Sequence, residues 1–194
     1  MKIGLPKTAA IFMAAGLLAL ALPVMPGLLK GNAFYGWPMQ GDLYPDLVES
    51  SNGSAHTFVT LGYLGCGDVC PTQLATLAEL DGLLKEARVR FRFVTLAPGL
   101  DSEERMHTVM SGLGSRFDWT RPASERSAQA LARDLGERVA SRPEQHGEPQ
   151  WLHPGHVYLL DPSGRALLAY RGSLLEPERM RDDLRQLLAE EPKS

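Results

Sequence analysis

The chain has 194 residues, of which 44% are hydrophobic and 22% are charged, which is the composition of a globular domain and excludes a largely disordered chain. Its 23 acidic and 20 basic residues give a net charge of −3, so we expect no nucleic-acid partner, because such partners need a basic surface. Its 2 cysteines exclude a four-thiolate zinc site and a scaffold of several disulfides.

The N-terminal residues 1–30 contain a long uncharged segment. Residues 8–29 carry no charged side chain, and Lys2 and Lys7 precede them. Such a segment is long enough to cross a bilayer as a helix, so residues 1–30 are predicted to form a transmembrane anchor. The lysines predict a cytoplasmic N-terminus and a domain on the outer, periplasmic side of the membrane. The alternative is a signal peptide cleaved near Ala21, which would leave a secreted protein.

Residues 31–55 are rich in Gly, Pro, Ser and Asn and are predicted to form a linker with at most short strands. The folded domain is predicted over residues 56–194. Its first element, residues 57–64 (TFVTLGYL), has the β-branched and aromatic composition of a buried strand. A helix is predicted over residues 70–87, because Pro71 suits a first turn and leucines recur at three- and four-residue steps.

Three further elements are predicted in the middle of the chain. Residues 89–96 (VRFRFVTL) begin with strict alternation of apolar and polar side chains, which predicts a second strand. Asp101 is predicted to cap a helix that extends to about Gly112, with Glu104 as its capping-box partner. Another helix is predicted over residues 122–135.

The C-terminal residues complete a thioredoxin-like pattern. Residues 157–160 and 166–170 flank the turn sequence DPSG and predict a β-hairpin. Strand–helix–strand units give parallel strands and a hairpin adds antiparallel strands, so we expect an α/β domain with a mixed central sheet flanked by helices. The last predicted element is an amphipathic helix with apolar residues Met180, Leu184, Leu187 and Leu188.

Cys66 and Cys70 lie between the first strand and the first helix, in the sequence GCGDVCP. Residues four apart in a helical turn have Cβ atoms roughly 5–6 Å apart, so the sulfurs can form a disulfide or bind one metal ion together. A helix N-terminus also favours the thiolate form that redox chemistry and metal binding require. An inert structural disulfide is the alternative, although so short a loop would stabilise the fold only weakly.

Five histidines could supply a third ligand. His56 and His107 are predicted to be solvated, and His146 lies in a stretch rich in Pro and Gly. His153 and His156 directly precede the hairpin, whose first strand neighbours the central strand of a thioredoxin-like fold, so we expect them beside the cysteine loop. Two thiolates and one imidazole make a soft site of low coordination number, which suits Cu(I) better than Mg, Ca or Mn.

Two blocks of the sequence resemble the Sco/SenC family. FVTLGYLGCGDVCPTQL is similar to the family's "FGYTHCPDVCPTTL", with the two cysteines in register. His153 stands five residues before YLLDPSG, where members read "DHS…YLIDPDG" and carry their copper-binding histidine. FRFVTLAPGLDSEE is a weaker match to "FVSVDPERDTPE", and the resemblance covers about residues 57–190. The chain departs from the family pattern at Gly67, Ala97 and Pro154.

The resemblance implies a membrane-tethered, thioredoxin-like domain that binds copper through Cys66, Cys70 and His153. It also implies a chaperone role in assembling the binuclear copper centre of cytochrome c oxidase, with subunit II as the copper-receiving membrane partner. The alternative is a thiol–disulfide reductase that uses Cys66 and Cys70 on exported partners. Ordinary oxidoreductases of this fold have two residues between their cysteines and a cis-proline before the hairpin strand. Here three residues separate the cysteines and Gly155 takes the proline position, which favours metal binding.

Overall fold

The computed structural model describes residues 34–48, 55–66, 69–145, 148–172 and 174–190. The chain divides into two units at Tyr35, and the described residues from Tyr35 onward form the second, compact unit. The predicted anchor at residues 1–30 lies outside the described residues and stays a prediction. Within the described ranges, no helix combines the length and the apolar character that crossing a bilayer requires.

The second unit contains eight described strands and four described α-helices. The strands are β1 (Trp37–Pro38), β2 (His56–Gly62), β3 (Val89–Thr95), β4 (Phe117–Thr120), β5 (Ala140–Gln145), β6 (Glu148–Leu152), β7 (Val157–Leu160) and β8 (Ala166–Tyr170). The helices are α1 (Val69–Leu83), α2 (Glu103–Leu113), α3 (Glu125–Asp134) and α4 (Pro177–Glu190), and Pro45–Leu47 forms a short 3-10 helix.

Six strands form one mixed sheet in the order β1-β8-β7-β2-β3-β4. The three strands β2, β3 and β4 run parallel, whereas β7 and β8 form an antiparallel hairpin that adds to the other side of β2. Strands β5 and β6 pair with each other as a separate antiparallel hairpin. This mixed sheet with its flanking helices confirms the predicted fold class.

The sheet has a packed core on each face, because successive side chains of a strand point to opposite faces. On one face, Val59 and Val94 of the central strands pack with Ala128 of α3. On the other face, Phe91 stacks between Phe58, at a ring-centroid distance of 5.7 Å, and Phe117, at 4.7 Å. Both cores hold β2 in place, and β2 leads directly into the cysteine loop.

Residues 35–48, which belong to the predicted linker, contact the edge of the sheet. Trp37 of β1 pairs with Ala169 of β8, and Leu47 is buried in the core. The carboxylate of Asp183 on α4 accepts hydrogen bonds from the backbone N–H groups of Tyr35, at 2.9 Å, and Gly36, at 2.8 Å. This end of the predicted linker is therefore fixed to the domain by side-chain and backbone contacts.

Two residue-level expectations are wrong. Helix α2 is capped by Ser102, whose hydroxyl accepts the N–H of Arg105 at 3.3 Å, and Asp101 instead turns into the interior. His56, expected to be solvated, is 2% exposed because it opens the central strand β2 and pairs in register with Val89. His107 is exposed on α2, as predicted.

Candidate metal centre

Cys66 and Cys70 follow the C-terminal end of β2. The backbone N–H of Cys66 donates to the carbonyl of Tyr63 at 3.1 Å, and Cys70 lies in the first turn of α1. Cys70 approaches the sheet closely at Gly62, where an added Cβ would lie only 2.6 Å from the Cys70 Sγ. Cys70 is 5% exposed and Cys66 is half-buried. The end of β2 and the start of α1 therefore place both cysteines beyond the C-terminal end of a central strand.

His153 reaches the cysteines from the segment between β6 and β7. Its Nε2 lies 3.4 Å from the Cys70 Sγ. The ligand atoms of Cys66, Cys70 and His153 all lie within 4.8 Å of one another, and no other such group of Cys, His, Asp or Glu occurs in the described part of the chain. The structure thus brings together the three residues that the sequence analysis singled out.

His156 does not belong to this group. Its ring contacts the ring of Tyr158 edge-on at a centroid distance of 6.3 Å, and its carbonyl accepts the hydroxyl of Thr60 at 3.1 Å. Burial lowers the pKa of His156, and the positive charges of Arg171 and His153 lower it further. His156 is therefore a neutral residue packed beside the site.

Cys66 influences the protonation of Cys70. The hydrogen bond with Cys66 raises the pKa of the Cys70 thiol, and burial raises it further. The expectation that the helix N-terminus favours the thiolate is therefore wrong for Cys70, since the adjacent sulfur and the loss of solvent outweigh the helix end. Cys70 stays a thiol in the metal-free protein, and a metal ion must displace its proton to bind.

Asp101 holds the start of the cysteine loop. This residue is 1% exposed, and the N–H of Leu64 donates to both of its carboxylate oxygens, at 3.2 and 3.1 Å. The hydroxyl of Thr95 donates to the Oδ2 atom at 2.5 Å. Sequence reasoning missed this role because an acid just before Glu103 and Glu104 resembles a helix cap. The adjacent Ser102 is an equally good N-cap residue. Its presence in the sequence could have indicated that Asp101 need not be the cap and could have another role.

Glu137 is a second buried acid that sequence reasoning missed. It is 1% exposed and accepts hydrogen bonds from the hydroxyl of Tyr158, at 3.2 Å, and from the backbone N–H of His156. Burial raises the pKa of Glu137 to about 7, although the positive charge of His153 and these two hydrogen bonds act in the opposite direction. Glu137 follows α3 outside any periodic pattern, so the sequence carries no local signal for its burial.

A cavity of about 590 Å³ adjoins the two sulfur atoms. Its walls come from the cysteine loop, β3 and the facing sides of α1 and α2, and most of its lining is apolar. Among its lining residues are Tyr63, Leu74, Phe93, Arg105 and Val109. The cavity leaves room beside the sulfurs for a side chain of another molecule.

Comparison with known proteins gives one family. The SCO1/SenC family model matches residues 48–189. A curated protein from Stutzerimonas stutzeri, to which its name ascribes copper binding, is 28% identical over 147 residues, which are 74% of this chain and 69% of that protein.

Solved structures share the fold at low sequence identity. Arabidopsis thaliana ScoI with copper bound superposes with a TM-score of 0.65 at 18% identity, covering 81% of this chain and 99% of that chain. BsSco, a member of the Sco family of cytochrome c oxidase assembly proteins in which a disulfide switch was identified, has a TM-score of 0.58 at 17% identity, covering 80% of this chain and 96% of that chain. The domain therefore has the thioredoxin-like Sco fold.

Proposed function

The chain belongs to the SCO1/SenC family, and we propose that it binds one copper ion through Cys66, Cys70 and His153. The observation that carries this proposal is the clustering of two sulfurs and one imidazole nitrogen within 4.8 Å of one another. Thiolates suit Cu(I), and the imidazole helps to complete the coordination of Cu(II). A structural zinc ion would need a fourth ligand, which this three-residue group does not supply.

We propose further that the copper is cargo for the assembly of the copper centre of cytochrome c oxidase, with subunit II as the receiving partner. Copper is bound in the A. thaliana relative, and BsSco is a member of a family of cytochrome c oxidase assembly proteins. Cys66 is half-buried beside the 590 Å³ cavity, so an incoming ligand of the partner could reach the bound ion there. Transfer would then proceed by exchange of one thiolate at a time.

The copper proposal is tested with the reduced full chain in detergent. We expect one Cu(I) per chain in competition with a chelator, and Cys66→Ala or Cys70→Ala should abolish tight binding. His153→Ala should weaken Cu(I) binding less, because two thiolates can hold Cu(I) alone, but should change the Cu(II) absorption spectrum strongly. His156→Ala is the matched control and should match the wild type. The ligand assignment fails if the cysteine variants still bind copper tightly, or if His156 rather than His153 is required.

We also propose that residues 1–30 tether the domain to the membrane, with the domain on the periplasmic side. The support is the uncharged segment 8–29 with lysines before it. Full-length protein should stay with membranes after salt and carbonate washing, and a chain lacking residues 1–30 should not. A mature product that begins near Leu22 would instead establish a cleaved signal peptide.

A thiol–disulfide reductase is the second candidate, favoured by the adjacent sulfurs of Cys66 and Cys70. One thiolate would attack a partner disulfide to form a mixed disulfide and release a partner thiolate. The second cysteine would then attack the mixed disulfide, leaving a Cys66–Cys70 disulfide and a reduced partner, and an external dithiol would restore the pair. His153→Ala separates the two functions, since it should alter the Cu(II) spectrum but spare reduction of an oxidised dithiol peptide.

A further inference from the structure

We propose that Glu137 is a positioning residue for His153: its free carboxylate oxygen accepts a hydrogen bond from the Nδ1–H of His153 and so presents Nε2 to the metal. This inference rests on the proposed copper site, and it adds a residue that lies outside the Cys66, Cys70 and His153 group.

The first observation is the placement of Glu137 beside the histidine segment. The hydroxyl of Tyr158 and the backbone N–H of His156 both donate to its carboxylate. A separate cavity of about 460 Å³ lies between the two segments. Its lining includes Gly136 and Arg138, which are the chain neighbours of Glu137, and Leu152, His153 and Pro154 of the histidine segment. The segment that carries Glu137 therefore runs along the segment that carries His153.

The second observation is a matched pair of buried polar atoms. The Oε2 of Glu137 and the Nδ1 of His153 are both buried, and neither has a hydrogen-bond partner among the described residues. Buried polar groups in folded proteins are nearly always hydrogen-bonded, so two such atoms in adjoining segments need an explanation. A hydrogen bond between them would satisfy both at once.

The chemistry of a ligating imidazole supplies the reason for this pairing. The Nε2 of His153 faces the Cys70 Sγ at 3.4 Å, so Nε2 is the nitrogen that faces the metal position. A nitrogen can bind a metal only with its lone pair free, which requires that the proton lie on Nδ1. A carboxylate that accepts this proton fixes the tautomer and the ring orientation and makes the ligating nitrogen more basic.

The alternative role of Glu137 is only to hold Tyr158 in the core, and two variants separate the roles. In Glu137→Gln the amide oxygen can still accept from Tyr158 and His156, but the amide NH₂ then faces Nδ1 of His153 and opposes a proton there. Tyr158→Phe removes the hydroxyl donor and leaves unchanged the carboxylate oxygen that we assign to His153. Thermal unfolding of the full chain in detergent verifies that each variant is folded.

The decisive readout needs no copper. Nitrogen-15 NMR at pH 8 should show the His153 ring protonated on Nδ1 in the wild type and in Tyr158→Phe, and shifted toward the Nε2–H tautomer in Glu137→Gln. With copper added, Glu137→Gln should bind 10–100-fold more weakly, on the order expected for loss of such a partner, and its Cu(II) spectrum should change.

An unchanged tautomer in Glu137→Gln overturns the proposal, and so do equal tautomer shifts in the Gln and Phe variants. If the wild type binds no copper, the proposed function fails, and the tautomer comparison alone still decides whether Glu137 positions His153.

Discussion

Asp101 accepts the backbone N–H of Leu64 at 3.1 Å, two residues before Cys66 in the chain. We expect Asp101→Asn to lower the free energy of unfolding by about 1–3 kcal/mol. The amide NH₂ of Asn replaces one carboxylate oxygen and cannot accept a hydrogen bond, so an N–H or O–H donor that the carboxylate satisfied loses its acceptor. Copper affinity should also fall, since the cysteine loop loses its fixed start. Chemical denaturation and chelator competition measure the two effects.

The matched control for this change is Asp118→Asn. Asp118 pairs with Arg92 at 2.8 Å, but its side chain is 45% exposed, and surface ion pairs contribute less than about 1 kcal/mol. If the two variants lose equal stability and keep equal copper affinity, Asp101 has no special role in ordering the loop.

Gly62 sets how closely Cys70 can approach the sheet. A Cβ at this position would lie 2.6 Å from the Cys70 Sγ and 3.0 Å from the Phe93 ring. We expect Gly62→Ala to destabilise the protein by about 1–3 kcal/mol through overpacking and to weaken copper binding by displacing the sulfur. Gly82→Ala on α1 is the control: an added Cβ there meets nothing within 4 Å, so helix propensity should stabilise the protein by about 0.5–1 kcal/mol. Equal melting temperatures for the two variants would contradict this account.

Asp183 connects α4 to the N-terminal end of the domain. Its two oxygens accept the N–H groups of Tyr35 and Gly36, and the side chain is buried. Asp183→Asn should cost about 1–3 kcal/mol, because only one of these donors keeps an acceptor. Amide hydrogen exchange at Tyr35 and Gly36 should accelerate in this variant.

Asp182→Asn tests whether any acid on this helix would have the same effect. Asp182 is the adjacent residue, its side chain is 59% exposed, and its ion-pair partner is the neighbouring Arg181. Surface substitutions of this kind change stability by less than about 0.5 kcal/mol. Faster exchange at Tyr35 and Gly36 in both variants would argue against a specific role of Asp183.

Glu137 should make the stability of the copper-free protein depend on pH. Burial raises its pKa from 4.5 to about 7, so between these values the folded chain holds a proton that the unfolded chain releases. The free energy of unfolding should therefore fall as the pH rises from about 4.5 to 7, by up to about 3 kcal/mol. The lowered pKa of His156 gives a slope of opposite sign, so the difference between wild type and Glu137→Gln isolates Glu137. Parallel stability curves from pH 4.5 to 8 would show that Glu137 is ionised throughout.

The sequence predicted the elements whose local pattern is strong. The apolar run of β2, the alternation of β3 and the turn between β7 and β8 each indicate their structure without reference to the rest of the chain. Strands β4 to β6 were missed, because FDWT is short and ASRPEQ and EPQWL contain proline and charged residues that favour a loop. Their strand conformation depends on partners that only the folded chain provides.

The site was predicted in the same uneven way. The cysteine spacing is a local pattern and led to Cys66 and Cys70. The residues before the hairpin left His153 and His156 open, and the family resemblance selected His153. Asp101 and Glu137 have no such pattern, since each is buried by contacts with residues far along the chain, 37 positions away for Leu64 and 21 for Tyr158. Long-range packing therefore decides the residues that support the site, whereas short motifs indicate the candidate ligands.

Because the candidate ligands are far apart in the chain, the stage of folding determines when the protein can bind copper. His153 meets Cys70 across 83 positions, and between them lie two strands of the central sheet and two helices. In an unfolded chain only the two cysteines are near each other, so the complete three-ligand site arises after β7 has paired with β2. A newly synthesised chain should therefore reach its full affinity for copper only once this long-range pairing has formed, and incompletely folded molecules should bind the metal more weakly.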